Sequence, residues 1–198
     1  MDDIQDGDEV RSRDFVGVRV DRRRYERVTF IDCDLSEIET DHATFVDCSF
    51  LRCRLNGSTH DGTAYTSCTF VDVDFFGATF TGCKLTGSTL KACELRSVTA
   101  TGGAWDFMTM PRHDVTSCAF RDLRMTETDL AGLKGRGSTF VDVDLTGCDL
   151  TEADLRDADL RGSLLYSVDP LSTRLDGARV SVDQALQLAS NLGLSIES

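Results

Sequence analysis

The chain has 198 residues, enough for one domain with a sizeable core and too few for two of ordinary size. Its 34 aspartates and glutamates against 21 lysines and arginines give a net charge of −13, a field that repels nucleic acid and anionic membrane and leaves basic or neutral proteins as partners. No apolar run approaches the roughly 18 residues of a membrane span, and Met1-Asp2-Asp3-Ile4-Gln5 lacks the basic and apolar regions of a signal peptide, so a cytoplasmic protein is expected.

Residues 1–10 carry five carboxylates, Asp2, Asp3, Asp6, Asp8 and Glu9, and are expected to be a flexible lead-in. A basic cluster follows: Arg11, Arg13, Arg19, Arg22, Arg23, Arg24 and Arg27. From Phe15 to Val180 every fifth residue is a centre, and 30 of these 34 positions are apolar or aromatic, the exceptions being Thr40, His60, Gly135 and Pro170. The residue two before each centre is small or apolar except at Arg13, Arg23 and His113, and all eight cysteines fall in this class. Only Arg13 and Arg23, of 55 charged side chains, occupy either class, so both point inward and the other three positions of the unit point outward.

A period of five matches neither a helix nor a plain strand, so each unit is a short extended stretch ending in a turn. Glycines two residues after centres, such as Gly57, Gly77 and Gly147, suit those corners. A chain that turns so often must coil, and stacked coils about 4.8 Å apart cover one another's apolar interior. Phe30, Phe50 and Phe70 recur at 20 residues, followed by Leu90, Met110, Leu130 and Leu150, which supports four units per coil and a rod on the order of 40 Å long. The unbroken register over residues 11–180 predicts a smooth rod without looped-out segments.

Within the rod, Thr40 and His60 share a column and are read as a satisfied polar defect of the core, with a buried polar site as the functional alternative. The cysteines spread along the rod with no C-x-x-C, so they are core fillers and neither a metal site nor, in a reducing compartment, disulfides. Gly102-Gly103 lacks phosphate-loop context, and His42, His60 and His113 assemble no catalytic pairing with a serine or cysteine by local spacing. No catalytic residue, cofactor or metal is expected.

The outward carboxylates are the candidate site. The residue before each centre, sorted at 20 residues, gives the column Asp14, Asp34, Arg54, Asp74, Glu94, Asp114, Lys134, Asp154, Arg174. Asp32, Asp72 and Glu152 border the same edge, and Asp157 lies beside Asp154. Aspartate at this position also suits hydrogen bonding to turn backbone; yet like charges at coil spacing repel, which a neutral residue would avoid. An acidic stripe is expected along one side.

Past Val180 the period stops. Ser181 with Gln184 forms a capping box and Gly193 a stop, so residues 181–198 are read as a capping or dimerisation helix. Its face of Val182, Ala185, Leu186 and Ala189, with Leu188 and Leu192 beside it, must dock on the open last coil or on a partner subunit. Leu175 and Val180 join Val182, Ala185, Leu186, Ala189 and Leu192 as the expected interface of a homodimer joined at its C-terminal ends.

Cys148-Asp149-Leu150-Thr151-Glu152, Ala153-Asp154-Leu155-Arg156-Asp157 and Ala158-Asp159-Leu160-Arg161-Gly162 resemble the consensus Ala-(Asp/Asn)-Leu-X-X of the pentapeptide-repeat family. That resemblance implies an all-β fold, a right-handed quadrilateral parallel β-helix, here with a short C-terminal α-helix. The segment Gly177-Ala178-Arg179-Val180-Ser181-Val182-Asp183-Gln184-Ala185 is also similar to the C-terminal region of the mycobacterial fluoroquinolone-resistance members. Likeness to these and to the Qnr group implies a DNA mimic that occupies the basic DNA-binding saddle of DNA gyrase and blunts fluoroquinolones or other gyrase poisons, without binding nucleic acid itself. No looped insertion of the Qnr kind is evident. The alternative is a scaffold for a different protein.

Overall fold

The computed structural model describes Met1 and residues 3–197; the assignment of Asp2 to the lead-in lies outside the described residues, as does Ser198. The chain winds as a right-handed parallel β-helix and ends in one helix. Its first side is a five-stranded parallel sheet of β1 (Glu9–Arg11), β4 (Thr29–Ile31), β7 (Ser49–Leu51), β10 (Thr69–Val71) and β12 (Thr89–Lys91). A seven-stranded sheet forms the third side, running from β2 (Arg19–Asp21) through β5 (Glu39–Asp41), β8 (Thr59–Asp61), β11 (Thr79–Thr81), β13 (Thr99–Thr101) and β14 (Ala119–Arg121) to β15 (Thr139–Val141). The fourth side holds β3 (Arg24–Glu26), β6 (Thr44–Val46) and β9 (Ala64–Thr66). On the second side coils meet through single bridges, among them Asp14 with Asp34 and Lys134 with Asp154.

The register confirms the four-unit coil: Phe30 pairs with Phe50, Phe50 with Phe70 and Phe70 with Leu90. Inside, aromatic rings stack along the axis, Phe30 on Phe50 and Phe50 on Phe70 each with centroids 4.9 Å apart, so the ring spacing reports the rise per coil. Tyr25, Phe45 and Tyr65 form a second stack at 5.0 and 4.9 Å. Stacked pairs add about 1 kcal/mol each beyond area burial. Corners fall two residues after centres, where the backbone takes positive φ even at non-glycine residues such as Asp32 (54°) and Arg52 (51°). Gly103 stands elsewhere, two before Trp105, and there a Cβ would sit 2.1 Å from the Cys83 carbonyl oxygen, so only glycine fits.

Thr40 and His60 form a satisfied buried network. Ser58 Oγ donates to Leu55 O and accepts from His60 Nε2 at 2.9 Å. His60 Nδ1 accepts from the Tyr65 hydroxyl at 3.0 Å and lies 2.8 Å from Thr40 Oγ1. Burial pushes the His60 pKa down to about 3, so the ring is neutral. His113 is also satisfied: Nδ1 donates to Pro111 O and Nε2 accepts the Cys93 N–H, as Ser88 Oγ accepts the Cys68 N–H.

Two segments depart from expectation. The N-terminal residues engage the coil: Gly7 N donates to Glu26 O at 2.9 Å, Glu26 N donates to Asp6 Oδ1, Arg13 pairs with Asp3, and Met1 and Ile4 pack on the core. Their apolar and hydrogen-bonding groups complete the first coil, which carboxylate content alone did not reveal. The rod also has one irregular coil. Pro170 stands at a centre, a short turn brings Ser172 N and Thr173 N onto Asp169 O, and Leu171 is thrown out to 84% exposure. Thr173, buried, restores the register.

Candidate functional site

All ten aspartates standing directly before a centre make the same local bond. The carboxylate accepts the N–H two residues on, as Asp74 does from Phe76 at 2.8 Å, Asp114 from Thr116 at 3.1 Å and Asp149 from Thr151 at 2.9 Å. These are Asx turns. They occupy one carboxylate oxygen, and the other meets an arginine at Asp34, Asp154 and Asp159.

Asp14, Asp34, Asp74, Glu94, Asp114 and Asp154 lie in one column on the second side, with Arg54, Lys134 and Arg174 between them. Asp32, Asp72 and Glu152 lie on the preceding corner and Asp157 on the following one. Arginines meet several of these carboxylates: Arg52 on Asp32 at 2.7 Å, Arg54 on Asp34, Arg96 on Glu94 at 3.0 Å, Arg136 on Asp157 at 2.9 Å, and Arg156 on Asp154 at 2.6 Å. The Arg156 guanidinium holds the Asp154 carboxyl down at about 2, and Arg54, with Ser36, lowers that of Asp34. Among the described residues no salt bridge reaches Asp14, Asp72, Asp74, Asp114 or Glu152.

A second acidic column went unrecognised in the sequence. Asp129 and Asp149 are bridged on the first side, Asp169 continues the line at the irregular coil, and Glu152 borders it. Asp129, Asp149 and Glu152, with Arg112 and Thr151, flank a shallow 420 Å³ groove beside Pro111 and Gly132. The signal was diluted because the same column reads Thr29, Ser49, Thr69, Thr89 and Thr109 over its first half.

At the C-terminal end, α1 (Val182–Asn191) starts at the capping box, Ser181 Oγ accepting from Gln184 N and Gln184 Oε1 accepting from Ser181 N. It docks through polar side chains. Gln184 Nε2 donates to Leu160 O and Ser163 O, both at 2.7 Å, and Asn191 Nδ2 donates to Leu165 O and Val168 O at 3.0 and 2.8 Å. These amides stand where the N–H groups of a further coil would be. Leu175, Val180, Leu188 and Ala189 are half-buried, whereas Val182 is 78% exposed and Ala185, Leu186 and Leu192 face outward. Tyr166, 60% exposed, and Leu164, Leu171, Leu194 and Ile196 enlarge the apolar surface at this end.

Residues 23–105 match the family described as pentapeptide repeat region, and residues 136–165 match pentapeptide repeats (8 copies). The chain belongs to the pentapeptide-repeat family. No curated protein matches the sequence. Among solved structures, this pentapeptide-repeat protein is similar to full-length QnrB1, a plasmid-mediated fluoroquinolone resistance protein, at 16% identity over 94% of this chain and 100% of that one, with a TM-score of 0.42. It is similar to HetL, a pentapeptide repeat protein involved in heterocyst differentiation regulation from the cyanobacterium Nostoc, at 16% identity over 87% and 83% of the two chains and a TM-score of 0.39. Rfr23 of the cyanobacterium Cyanothece gives 12% identity over 90% and 87%, with a TM-score of 0.26. Among the described residues no helix is long and apolar enough to cross a membrane, and no three His, Cys, Asp or Glu side chains converge to hold a metal ion.

Proposed function

We propose that this pentapeptide-repeat protein mimics duplex DNA, binds the basic DNA-binding saddle of DNA gyrase and lowers its activity, blunting fluoroquinolones or other gyrase poisons. The observation that carries the reading is the set of outward carboxylates repeating at coil spacing on a stiff rod of net charge −13. A rise of 4.9 Å per coil is comparable to the roughly 3.4 Å between phosphates along one DNA strand. The carboxylates without salt bridges, Asp14, Asp72, Asp74, Asp114 and Glu152 together with the Asp129–Asp149 column, are the ones expected to meet the saddle. The similarity of residues 177–185 to the mycobacterial fluoroquinolone-resistance members supports the same partner. A homodimer through Val182, Leu186, Leu192 and the exposed apolar residues around them doubles the rod and brings the two acidic C-terminal halves to its centre.

The test is DNA supercoiling by purified gyrase with increasing protein, beside a variant with Asp74, Asp114, Asp129 and Asp149, which meet no arginine, changed to Asn. Asparagine keeps the turn-forming acceptor and removes the charge, so lost inhibition reports electrostatics and not misfolding. Inhibition by the parent that weakens in the variant supports the mimic. No effect of the parent on gyrase from the same host favours a scaffold for another protein, a reading to which the arginines pairing Asp32, Asp34, Glu94, Asp154 and Asp157 lend weight.

A further inference from the structure

The first side of the rod changes character half-way along. Its outward residues after the centres are Ile31, Leu51, Val71 and Lys91 at first and then Pro111, Ala131 and Thr151, so larger side chains give way to the shallow groove beside Pro111 and Gly132. Along one edge of this stretch run Asp129 and Asp149, with Glu127 on the adjoining corner, its carboxylate turned over Gly147. Among the described residues no salt bridge reaches any of these three, and Arg112, laid over Gly132, is the one cation that lines the groove.

Phe107 stands on the same corner, one coil before Glu127. Among the described non-glycine residues with positive φ it is the only large apolar one, at 57°, and its side chain is left 60% exposed. The same corner holds glycine at Gly87 and Gly147. An aromatic side chain there carries backbone strain and gains little burial, so folding alone favours glycine. The chain shows elsewhere what such a ring can hold. Phe76, the other outward phenylalanine, carries the Arg96 guanidinium 5.6 Å from its ring centroid, and Glu94 holds that guanidinium at 3.0 Å. Phe107 has its carboxylates on the next coil and, among the described residues, no guanidinium over its ring.

We propose that Phe107, Glu127, Asp129 and Asp149 form a docking surface for a basic helix of a partner protein, with one arginine stacked on the Phe107 ring and the next, a turn further on, meeting the carboxylates. Helical side chains three or four residues apart are about 4.5–6 Å apart along the axis, close to the 4.8 Å between the stacked Phe120 and Phe140 rings of successive coils. An extended segment repeats a face only every 6.6–6.8 Å or so, about two strand residues, and falls out of step. The backbone of this side is already bonded from coil to coil, Thr109 N to Ser88 O and Asp129 N to Met108 O, so a docked segment meets side chains and no free sheet edge. A nucleic acid duplex is repelled by the carboxylates. Assigning the helix to gyrase rests on the reading above; the surface itself does not.

The experiment uses the full chain and a fluorescent alanine-based helical peptide with arginines at three- and four-residue spacing on one face, read by anisotropy. A peptide of the same composition with its arginines scattered around the helix, a lysine form of the one-faced peptide, and a duplex oligonucleotide serve as comparisons. The expected result is binding of the one-faced arginine peptide, weaker binding of the other two peptides, and a loss of roughly three- to tenfold in Phe107→Gly while its melting temperature holds or rises. An Asp129→Asn, Asp149→Asn variant, which keeps both turn acceptors, should lose affinity as well. No binding by the one-faced peptide, equal binding by the scattered one, unchanged affinity in Phe107→Gly, or preference for the duplex overturns the proposal. Peptide binding without any effect of the protein on gyrase sinks the gyrase reading and leaves this surface standing; gyrase inhibition without peptide binding does the reverse.

Discussion

Coils built on Thr-Phe-Val and Thr-Phe-Thr, as at β6, β10 and β11, form three-residue strands, whereas the Asp-Leu coils after residue 141 meet through single bridges. One side chain contributes to the difference, although single bridges also join Ala64 to Lys84 and Thr89 to Thr109, where no aspartate stands. A threonine before the centre leaves the following N–H groups to the ladder, and its β-branch suits the pleat. An aspartate there takes the N–H two residues on for its own turn, as Asp149 and Asp154 do, so the ladder shrinks to one contact per side. The N-terminal half therefore rests on stacked aromatics and continuous sheets. The C-terminal half rests on leucine packing and Asx turns, and exposes the surface proposed for a second copy.

The largest test of this contrast removes packing from each half. Phe50→Ala, between Phe30 and Phe70, should cost about 3–5 kcal/mol in denaturant melts, and Leu150→Ala about 2–4 kcal/mol; an equal or larger loss at Leu150 would break the comparison. At the junction, Gly103→Ala should cost about 3 kcal/mol, since positive φ and a Cβ against Cys83 O act together. Gln184→Ala leaves the Leu160 and Ser163 carbonyls without their amide and should destabilise by about 1–3 kcal/mol, with faster amide exchange confined to the last coils.

Both halves should respond to pH. Arg156 and Arg161 hold Asp154 and Asp159 at about 2, below the unfolded value near 3.9, so their contribution is present above about pH 4 and lost as pH falls toward 2. Burial raises Cys53 to about 12 and Cys83 and Cys93 to about 11, so their contribution is intact below the unfolded thiol value near 8.5 and lost as pH rises through the folded values. Acid should weaken both halves, because Arg52 and Arg54 also hold Asp32 and Asp34 below the usual carboxylate range, and alkali should reach both, because burial also raises Cys118 to about 11 and Cys148 to about 12; exchange rates resolved along the chain check this. The smallest effect sharpens the local chemistry. Asp149→Asn should stay within about 0.5 kcal/mol of the parent, and Asp149→Ala should lose about 1 kcal/mol with its turn acceptor.

The sequence by itself determined the coil. Two inward positions in five, repeated from Phe15 to Val180, require a coil, because burial at a fixed period needs stacked turns to hide those side chains, and the 20-residue recurrence of Phe30, Phe50 and Phe70 supports four units per turn, while the right hand followed from the family resemblance. The capping box at Ser181 and Gln184 was equally legible, being local. What the tertiary structure decided depends on neighbours a full coil away. Which carboxylates of the stripe meet an arginine is set by coil stacking and side-chain reach, so Asp34 is paired by Arg54 while Asp74 is left open. The docking of α1 by Gln184 and Asn191, with Val182 and Leu186 turned outward, follows from unpaired carbonyls at the last coil, and a hydrophobic pattern holds no record of those. Met1 and Ile4 likewise join the first coil because its open interior lies beside them, a contact that no count of nearby carboxylates could reveal.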